Sequence, residues 1–196
     1  MRPAEERRVP MTGRPVAGEA APYYFKYIDR VGAGDIVGVL DAQRAEAMSL
    51  LEPITEDRSL FRYAPEKWSI RRVLNHVNDT ERLFVFRAFW FARGFDSALP
   101  AFDQDAGSAA AGADGVSWAR HVEEFRAVRA ATVSFFGNLP AEAWTRRGIA
   151  SDNPVSVRAL AYITAGHLQH HMAVLRERYA AASPSGELSG DTESPR

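Results

Sequence analysis

Four stretches of this chain carry apolar residues three and four positions apart, and this spacing restricts the fold more than any other feature of the sequence. Residues at that spacing share one face of an α-helix, so each stretch predicts an amphipathic helix. The four stretches are residues 36–51, 70–94, 118–139 and 157–179. No convincing run alternates apolar and polar residues as a half-buried strand does. The sequence therefore predicts an all-α protein built as a four-helix bundle.

The predicted helices have recognisable boundaries. Each is preceded by a side chain that can accept a hydrogen bond from a free backbone N–H, as N-caps do. These residues are Asp35, Ser69, Ser117 and Ser156. Pro53 and Pro140 end the first and third helices, because proline lacks the backbone N–H and clashes with the preceding turn.

The chain is organised as one domain with irregular ends. The bundle domain is predicted over residues 23–180 and begins with an aromatic segment at residues 23–28. Residues 1–22 and 181–196 have no hydrophobic period, which predicts disordered or loosely packed tails. Residues 95–115 are rich in Asp, Gly, Ala and Ser and are too irregular for a helix or strand. They are interpreted as a functional or mobile loop between the second and third helices.

Composition excludes several classes of protein. The 24 Lys and Arg residues are balanced by 25 Asp and Glu residues, so no positive field favours nucleic acid as a partner. No stretch approaches the ~18 apolar residues of a membrane span, so no membrane partner and a cytoplasmic location are expected. Cysteine is absent, which excludes thiolate nucleophiles and disulfides. Any metal must therefore be held by histidine and carboxylate side chains.

Catalytic motifs that can be identified by their spacing are also absent. The sequence has no Gly-x-Ser-x-Gly elbow and no glycine-rich phosphate loop. A run of aromatic residues in the second helix is interpreted as core or dimer surface rather than as a ligand platform. Its members are Phe84, Phe86, Phe89, Trp90 and Phe91.

Three of the five histidines lie in the segment Gly-His-Leu-Gln-His-His at residues 166–171. His167 and His171 are four residues apart, so a helix places their side chains one above the other, where both can bind one ion. His170 points toward the opposite flank and is a weaker candidate for a ligand. Gly166 is a poor helix residue, and its lack of a side chain would allow another backbone or a ligand to approach closely.

His76, in the middle of the second helix, supplies the third ligand most simply. Three imidazoles would leave positions for water or substrate, as catalytic metal sites do. Asp79 is three residues further on and could orient His76 or a bound water. A lone histidine at a helix border is usually structural, and His121 is interpreted in that way. Glu81 is interpreted as an ion-pair partner of a nearby arginine such as Arg82 or Arg87.

Four short segments carry a resemblance to a known family. The first two segments are close together, Lys-Trp-Ser-Ile-Arg at 67–71 and His-Val-Asn-Asp-Thr-Glu-Arg at 76–82. The other two are Phe-Asp-Gln-Asp at 102–105 and Gly-His-Leu-Gln-His-His at 166–171. In order and internal spacing these segments resemble the DinB and YfiT-like superfamily, over roughly residues 23–179. The resemblance implies an up-down-down-up bundle with a long crossover, frequently a homodimer. It also implies a divalent metal bound by His76, His167 and His171.

The resemblance is less specific about activity. The family includes transferases that join low-molecular-weight thiols such as bacillithiol or mycothiol to electrophiles, and a thiol-dependent isomerase. We therefore expect a metal-dependent enzyme that joins such a thiol to an electrophilic small molecule, with Asp79 or His170 accepting a proton. Hydrolysis by metal-activated water and a non-catalytic, metal-binding stress-response module are the alternatives. A three-histidine site suits zinc or nickel, and also iron.

Overall fold

The computed structural model describes residues 13–179. The α-helices are α1 (Phe25–Ile28), α2 (Ile36–Leu51), α3 (Glu56–Ser59), α4 (Ile70–Ala92), α5 (Gln104–Ala110), α6 (Trp118–Gly137) and α7 (Val157–Val174), and a π-helical turn (Leu175–Tyr179) continues α7. Two short strands, β1 (Arg147–Ala150) and β2 (Asn153–Ser156), form a hairpin. Short 3-10 turns lie at Pro22–Tyr24, Ala113–Gly115 and Ala141–Thr145. The long helices α2, α4, α6 and α7 are the four that the periodicity predicts.

Side-chain caps fix the starts of three of the long helices. Asp35 accepts a hydrogen bond from the Val37 amide at 3.0 Å, and Ser69 and Ser156 accept equivalent bonds from residues three positions further on, both at 3.1 Å. The predicted cap at Ser117 is wrong, because its hydroxyl accepts no bond from the helix. Instead, the first amide of α6 donates to the Glu56 carboxylate at 2.8 Å, which supplies the missing acceptor from another helix.

Helices α4 and α6 run in the same direction. Arg71, near the start of α4, donates to the carbonyl of Val116, just before α6, at 2.9 Å. Further along the two helices, Arg129 of α6 donates to Glu81 of α4 at 2.7 Å. Two parallel helices that follow each other in sequence need a connection as long as the bundle itself. Residues 93–117 provide that crossover.

The other two long helices, α2 and α7, run antiparallel to this pair. The Tyr179 hydroxyl, just beyond α7, donates to the Trp68 carbonyl just before α4, at 2.7 Å. The indole N–H of Trp118, at the start of α6, donates to the carbonyl of Leu51, the last residue of α2, at 3.2 Å. The four helices therefore form the expected up-down-down-up bundle. No helix among residues 13–179 is long and apolar enough to cross a bilayer.

A layer of buried polar side chains crosses the middle of the bundle and divides the apolar core in two. Its members include Gln43, Glu81, Arg129, Thr132 and His167. Glu81 pairs with Arg129 from α6 and not with Arg82 or Arg87, as its sequence neighbourhood suggested. The reason is that Glu81 faces the bundle interior, where Arg129 approaches from the parallel helix. Gln43 accepts a second bond from Arg129 at 3.2 Å.

The hairpin is a difference from the prediction, since no run in the sequence alternates convincingly enough to predict a strand. Strands of four residues carry too little alternation to be detected from sequence. Gly148 on β1 lies directly against the ring of Phe91 on α4, so that a Cβ at this position would stand 1.9 Å from a ring carbon. Ser151 and Asp152 form the turn with positive φ angles of 51° and 59°.

The crossover is also more regular than predicted, because it contains α5 and a 3-10 turn within residues 95–115. Asp103 begins α5 by accepting hydrogen bonds from the amides of Asp105 and Ala106, both at 3.0 Å. Leu99 pairs with Ala150 of the hairpin as an isolated parallel bridge. The crossover is thereby attached along the end of the bundle that carries the hairpin.

The N-terminal segment departs from the predicted tail at residues 19 and 20. Glu19 and Ala20 are buried, because Glu19 forms an ion pair with Arg158 and accepts a hydrogen bond from Ser156 at 2.8 Å. An isolated charged residue among Gly, Ala and Pro gives no sequence signal for such a contact. Residues 1–12 of the predicted N-terminal tail and the whole predicted C-terminal tail, residues 181–196, lie outside the described residues.

Candidate metal centre

Three imidazole rings meet at the interface of α4 and α7. The Nε2 atom of His167 lies 3.1 Å from Nε2 of His76 and 3.1 Å from Nε2 of His171. The candidate ligand atoms of the three residues all lie within 4.8 Å of one another, and they form a group that could hold a metal ion. The sequence placed two of these side chains on one helix face, and the packing of α4 against α7 brings the third to them.

Gly166 sets the distance between α1 and α7 beside this cluster. A Cβ atom at Gly166 would stand 2.0 Å from the Tyr27 carbonyl oxygen, so only glycine allows the two backbones to approach this closely. The approach seats the Tyr27 ring against His167 with ring centroids 5.3 Å apart. Gly166 therefore has the packing role that its position in a helix interior predicts.

Thr80, one turn after His76, orients His167. Its hydroxyl donates to the His76 carbonyl at 2.6 Å, and its oxygen lies 3.4 Å from Nδ1 of His167. Because the threonine proton is used by the carbonyl, the oxygen is left to accept from an Nδ1–H. That tautomer directs the Nε2 lone pair of His167 toward the other two rings. Metal-bound histidines are commonly held in this way by a hydrogen bond to the second ring nitrogen.

Burial keeps the three imidazoles neutral. It lowers the pKa of His76 to about 4 and, together with the neighbouring histidines, that of His171 to about 3. Burial and the other histidines also hold the pKa of His167 well below its ordinary value. Neutral imidazole is the form that binds a metal, since the protonated ring has no free lone pair. The residues present thus fit a divalent ion, with three nitrogen donors and no charged ligand.

Aromatic rings enclose the cluster on several sides. Trp68 packs against His76 with ring centroids 5.1 Å apart, and Phe84 packs against His167 at 5.7 Å. These apolar walls exclude water and lower the local dielectric, which strengthens any interaction with a bound cation. They also hold the rings in fixed orientations.

Cavities reach the cluster from two directions. One of about 80 Å³ is bordered by His76 and His167 and extends along α4 toward Arg87, between the crossover and the hairpin. The other, of about 320 Å³, is bordered by His170 and His171 and by side chains that precede α4. Two molecules could therefore approach the three nitrogens from different sides.

The two residues predicted to move protons occupy different places. His170 is half-buried, lines the larger cavity, and packs against His171 with ring centroids 5.0 Å apart. Asp79 makes its contacts elsewhere: it accepts a hydrogen bond from Asn75 at 2.5 Å and lies 3.5 Å from Arg82. No hydrogen bond joins Asp79 to a histidine of the cluster. Burial raises the pKa of the Asp79 carboxyl.

The remaining histidine is structural, as its sequence surroundings indicate. His121 is buried on α6, and its Nε2 lies 2.9 Å from the Ala113 carbonyl oxygen. Sequence reasoning did not identify Thr80 and Arg87 as site residues. The signal was available, because both lie on the same face of α4 as His76, four and eleven positions further on.

Comparison with known proteins agrees with this arrangement. The sequence model of the DinB superfamily matches residues 39–175, most of the described chain. The chain belongs to the DinB superfamily. A solved structure with the same fold is YfiT from Bacillus subtilis, described as a probable metal-dependent hydrolase with an unusual four-helix bundle topology. It is 15% identical, with a TM-score of 0.67 over 74% of this chain and 85% of the other. No curated protein sequence is detectably similar.

The match to the DinB superfamily covers the parts of the chain that build the site. The matched region contains α4 and α7, which carry all three clustered histidines. It also contains the crossover that makes α4 and α6 parallel. At 15% identity, the likeness to YfiT is a likeness of fold, and the chemistry has to be argued from the residues of this chain.

Proposed function

We propose that His76, His167 and His171 bind one divalent metal ion, and that this DinB-superfamily chain uses it to join a low-molecular-weight thiol to an electrophilic small molecule. The observation that carries the proposal is the convergence of three neutral imidazole nitrogens within 4.8 Å, two of them from buried side chains, with cavities on two sides. Such a group is costly to bury without a shared ligand.

The ligand set favours zinc or nickel, with iron also compatible. Imidazole nitrogen suits all three, and three protein ligands leave coordination positions open, as in catalytic sites. A bound divalent ion would act as a Lewis acid that lowers the pKa of a thiol or a water molecule at an open position. Because all three ligands are neutral, the full positive charge would remain to favour an anionic sulfur, which is also a soft donor for zinc and nickel.

The residues of the chain have separable roles in this proposal. The three histidines hold the ion, Thr80 fixes the tautomer of His167, and the aromatic walls exclude water. His170 accepts the thiol proton, since it lines the larger cavity beside His171. We prefer it to Asp79, whose hydrogen bond is to Asn75.

Hydrolysis by metal-activated water is the second candidate, and the description of YfiT as a probable metal-dependent hydrolase favours it. The same three histidines would hold the ion, and the same cavities would admit an ester or amide substrate. The two candidates differ in the co-substrate, because only the transferase consumes a thiol.

The homodimer remains a prediction. Three aromatic side chains on or just after α4 support it, because Phe86, Phe89 and Phe95 are 48%, 39% and 49% exposed. Apolar side chains that are exposed together commonly mark an interface. Sedimentation of the wild type and of Phe86→Ser would test this, since the variant should shift toward the monomer.

Elemental analysis combined with a substrate screen tests the proposal. The purified chain should hold one zinc or nickel ion, and His76→Ala and His171→Ala should lose it. His121→Gln is the matched control, because it changes a histidine outside the cluster and should keep the metal. The metal-loaded chain should consume biological thiols in the presence of electrophiles. Ester or amide cleavage without thiol would favour the hydrolase, and metal retention in both alanine variants would refute the site.

A further inference from the structure

Arg87 is a buried arginine that forms no ion pair with any residue among 13–179. It is only 3% exposed, and its Nη2 donates to the Pro100 carbonyl and the Ser151 hydroxyl, both at 2.9 Å. Its Nε is buried and has no acceptor among residues 13–179. In contrast, the buried guanidinium groups of Arg71 and Arg129 each form an ion pair with a glutamate. A buried charge left uncompensated is costly, so the surroundings of Arg87 are incomplete.

The polypeptide around Arg87 is arranged to hold its guanidinium in place. The crossover is attached to the hairpin where the Leu99 amide donates to the Ile149 carbonyl at 2.9 Å and the Ser151 amide donates to the Leu99 carbonyl at 3.1 Å. This attachment places the Pro100 carbonyl on Arg87. Ser151 reaches it from a turn with positive φ, a conformation that costs a non-glycine residue free energy and is often found at functional sites.

Arg87 and the histidine cluster border the same cavity. The cavity of about 80 Å³ is lined by His76 and His167 as well as by Arg87 and Ser151. Arg87 follows His76 by eleven residues, which is close to three helical turns, so both lie on one face of α4 about 16 Å apart along its axis. Polar groups therefore line both ends of this cavity, the imidazoles at one end and the Arg87 guanidinium at the other.

We propose that Arg87 binds a carboxylate of the substrate whose other end reaches the histidine cluster. This inference deepens the proposed function by naming a substrate class, and it rests on that function for the reacting end only. The carboxylate accepts from the guanidinium group and compensates its positive charge. A singly charged carboxylate matches the single guanidinium, whereas a phosphate dianion would bring a second charge that no described cation in the cavity wall balances.

The first test compares a carboxylate with its neutral isostere on the wild-type chain. Pentanoate and pentanamide are titrated by calorimetry, first with the protein as purified and then after treatment with a chelator. Pentanoate should bind at least about 10-fold more tightly, since a hydrogen bond to a charged acceptor is much stronger than one to a neutral amide. The preference should persist after chelation, because Arg87 and not the metal recognises the anion.

Variants then assign the preference to Arg87. Arg87→Gln should abolish it and Arg87→Lys should retain part of it, because lysine keeps the charge. Arg93→Gln is the matched control, since Arg93 is an exposed arginine near the end of the same helix. The Nε–Hε resonance of Arg87 in a 15N spectrum, assigned by its loss in Arg87→Lys, should shift with pentanoate and not with pentanamide. This readout remains available if Arg87→Gln fails to fold.

The outcomes separate this inference from the metal proposal. An unshifted Arg87 resonance, or equal affinity for pentanoate and pentanamide, overturns the carboxylate site whether or not metal is bound. Inorganic phosphate that binds more tightly than pentanoate at the same resonance overturns the choice of carboxylate. Loss of the metal site in elemental analysis, with the pentanoate preference intact, would remove the proposed chemistry and leave the anion site standing.

Discussion

Replacing Gly166 with alanine should destabilise the bundle, although alanine is the better helix former. In a helix interior the substitution would ordinarily stabilise by ~1 kcal/mol. Here the new Cβ would stand 2.0 Å from the Tyr27 carbonyl oxygen and 2.6 Å from its carbonyl carbon. A carbon and an oxygen in contact lie ~3.3 Å apart, so the backbones of α1 and α7 would have to separate by more than about 1 Å.

The magnitude follows from two opposing effects. Overpacking a close backbone contact costs ~1–3 kcal/mol or more, and displacing α1 also exposes part of the buried Tyr27 and Ile28. Burying an aliphatic or aromatic side chain contributes ~1.5–3 kcal/mol, so losing part of that outweighs the ~1 kcal/mol gain in helix propensity. The expected net destabilisation is about 2 kcal/mol, or ~4–8 °C in Tm for a chain of this size.

Urea denaturation followed by circular dichroism measures this change. Gly137→Ala is the matched control, because its Cβ would lie 3.6 Å from a Val37 methyl carbon, an ordinary contact, and this variant should not be destabilised. Gly166→Ala should also bind metal more weakly, because Tyr27 would no longer support His167. If Gly166→Ala is as stable as the wild type or more stable, the close approach of α1 and α7 does not constrain the site as argued.

Three further changes test other parts of the structure. Glu19→Gln should destabilise the chain at neutral pH and matter less in acid. Burial alone would raise the pKa of Glu19, but its hydrogen bonds lower that pKa to about 2. Its contribution to stability is therefore present above about pH 4.5 and is lost as the pH falls toward 2, which acid titrations of the wild type and the variant would show. Thr80→Val should weaken metal binding ~10-fold by removing the acceptor for His167 Nδ1, as measured by chelator competition, with Thr80→Ser close to wild type. Arg129→Met should lower the free energy of unfolding, measured by urea denaturation, by ~3–5 kcal/mol, because it leaves Glu81 buried and unpaired. Adding Glu81→Leu should recover most of that loss. Equal stability of the single and double variants would contradict a compensating pair.

The sequence determined the helices and the placement of two of the three clustered histidines. Apolar spacing and caps act over a few residues, so the extents of α2, α4, α6 and α7 are encoded locally. The cofacial placement of His167 and His171 follows from a separation of four residues on one helix. Its position in α4 made His76 the simplest third ligand and the resemblance to the DinB superfamily also implied it, but sequence spacing alone could not show that α4 faces α7.

Tertiary structure decided everything that depends on contacts between elements far apart in the chain. Packing placed Glu81 against Arg129 and brought the backbone of Gly166 close to that of Tyr27. It left Asp79 hydrogen-bonded to Asn75. The hairpin and the crossover enclosed Arg87 with no carboxylate of the described chain paired to it, and no local sequence pattern predicts that arrangement. The physical reason is that periodicity specifies which face of a helix is apolar, whereas the partner of each buried polar group is set by the geometry with which the faces meet.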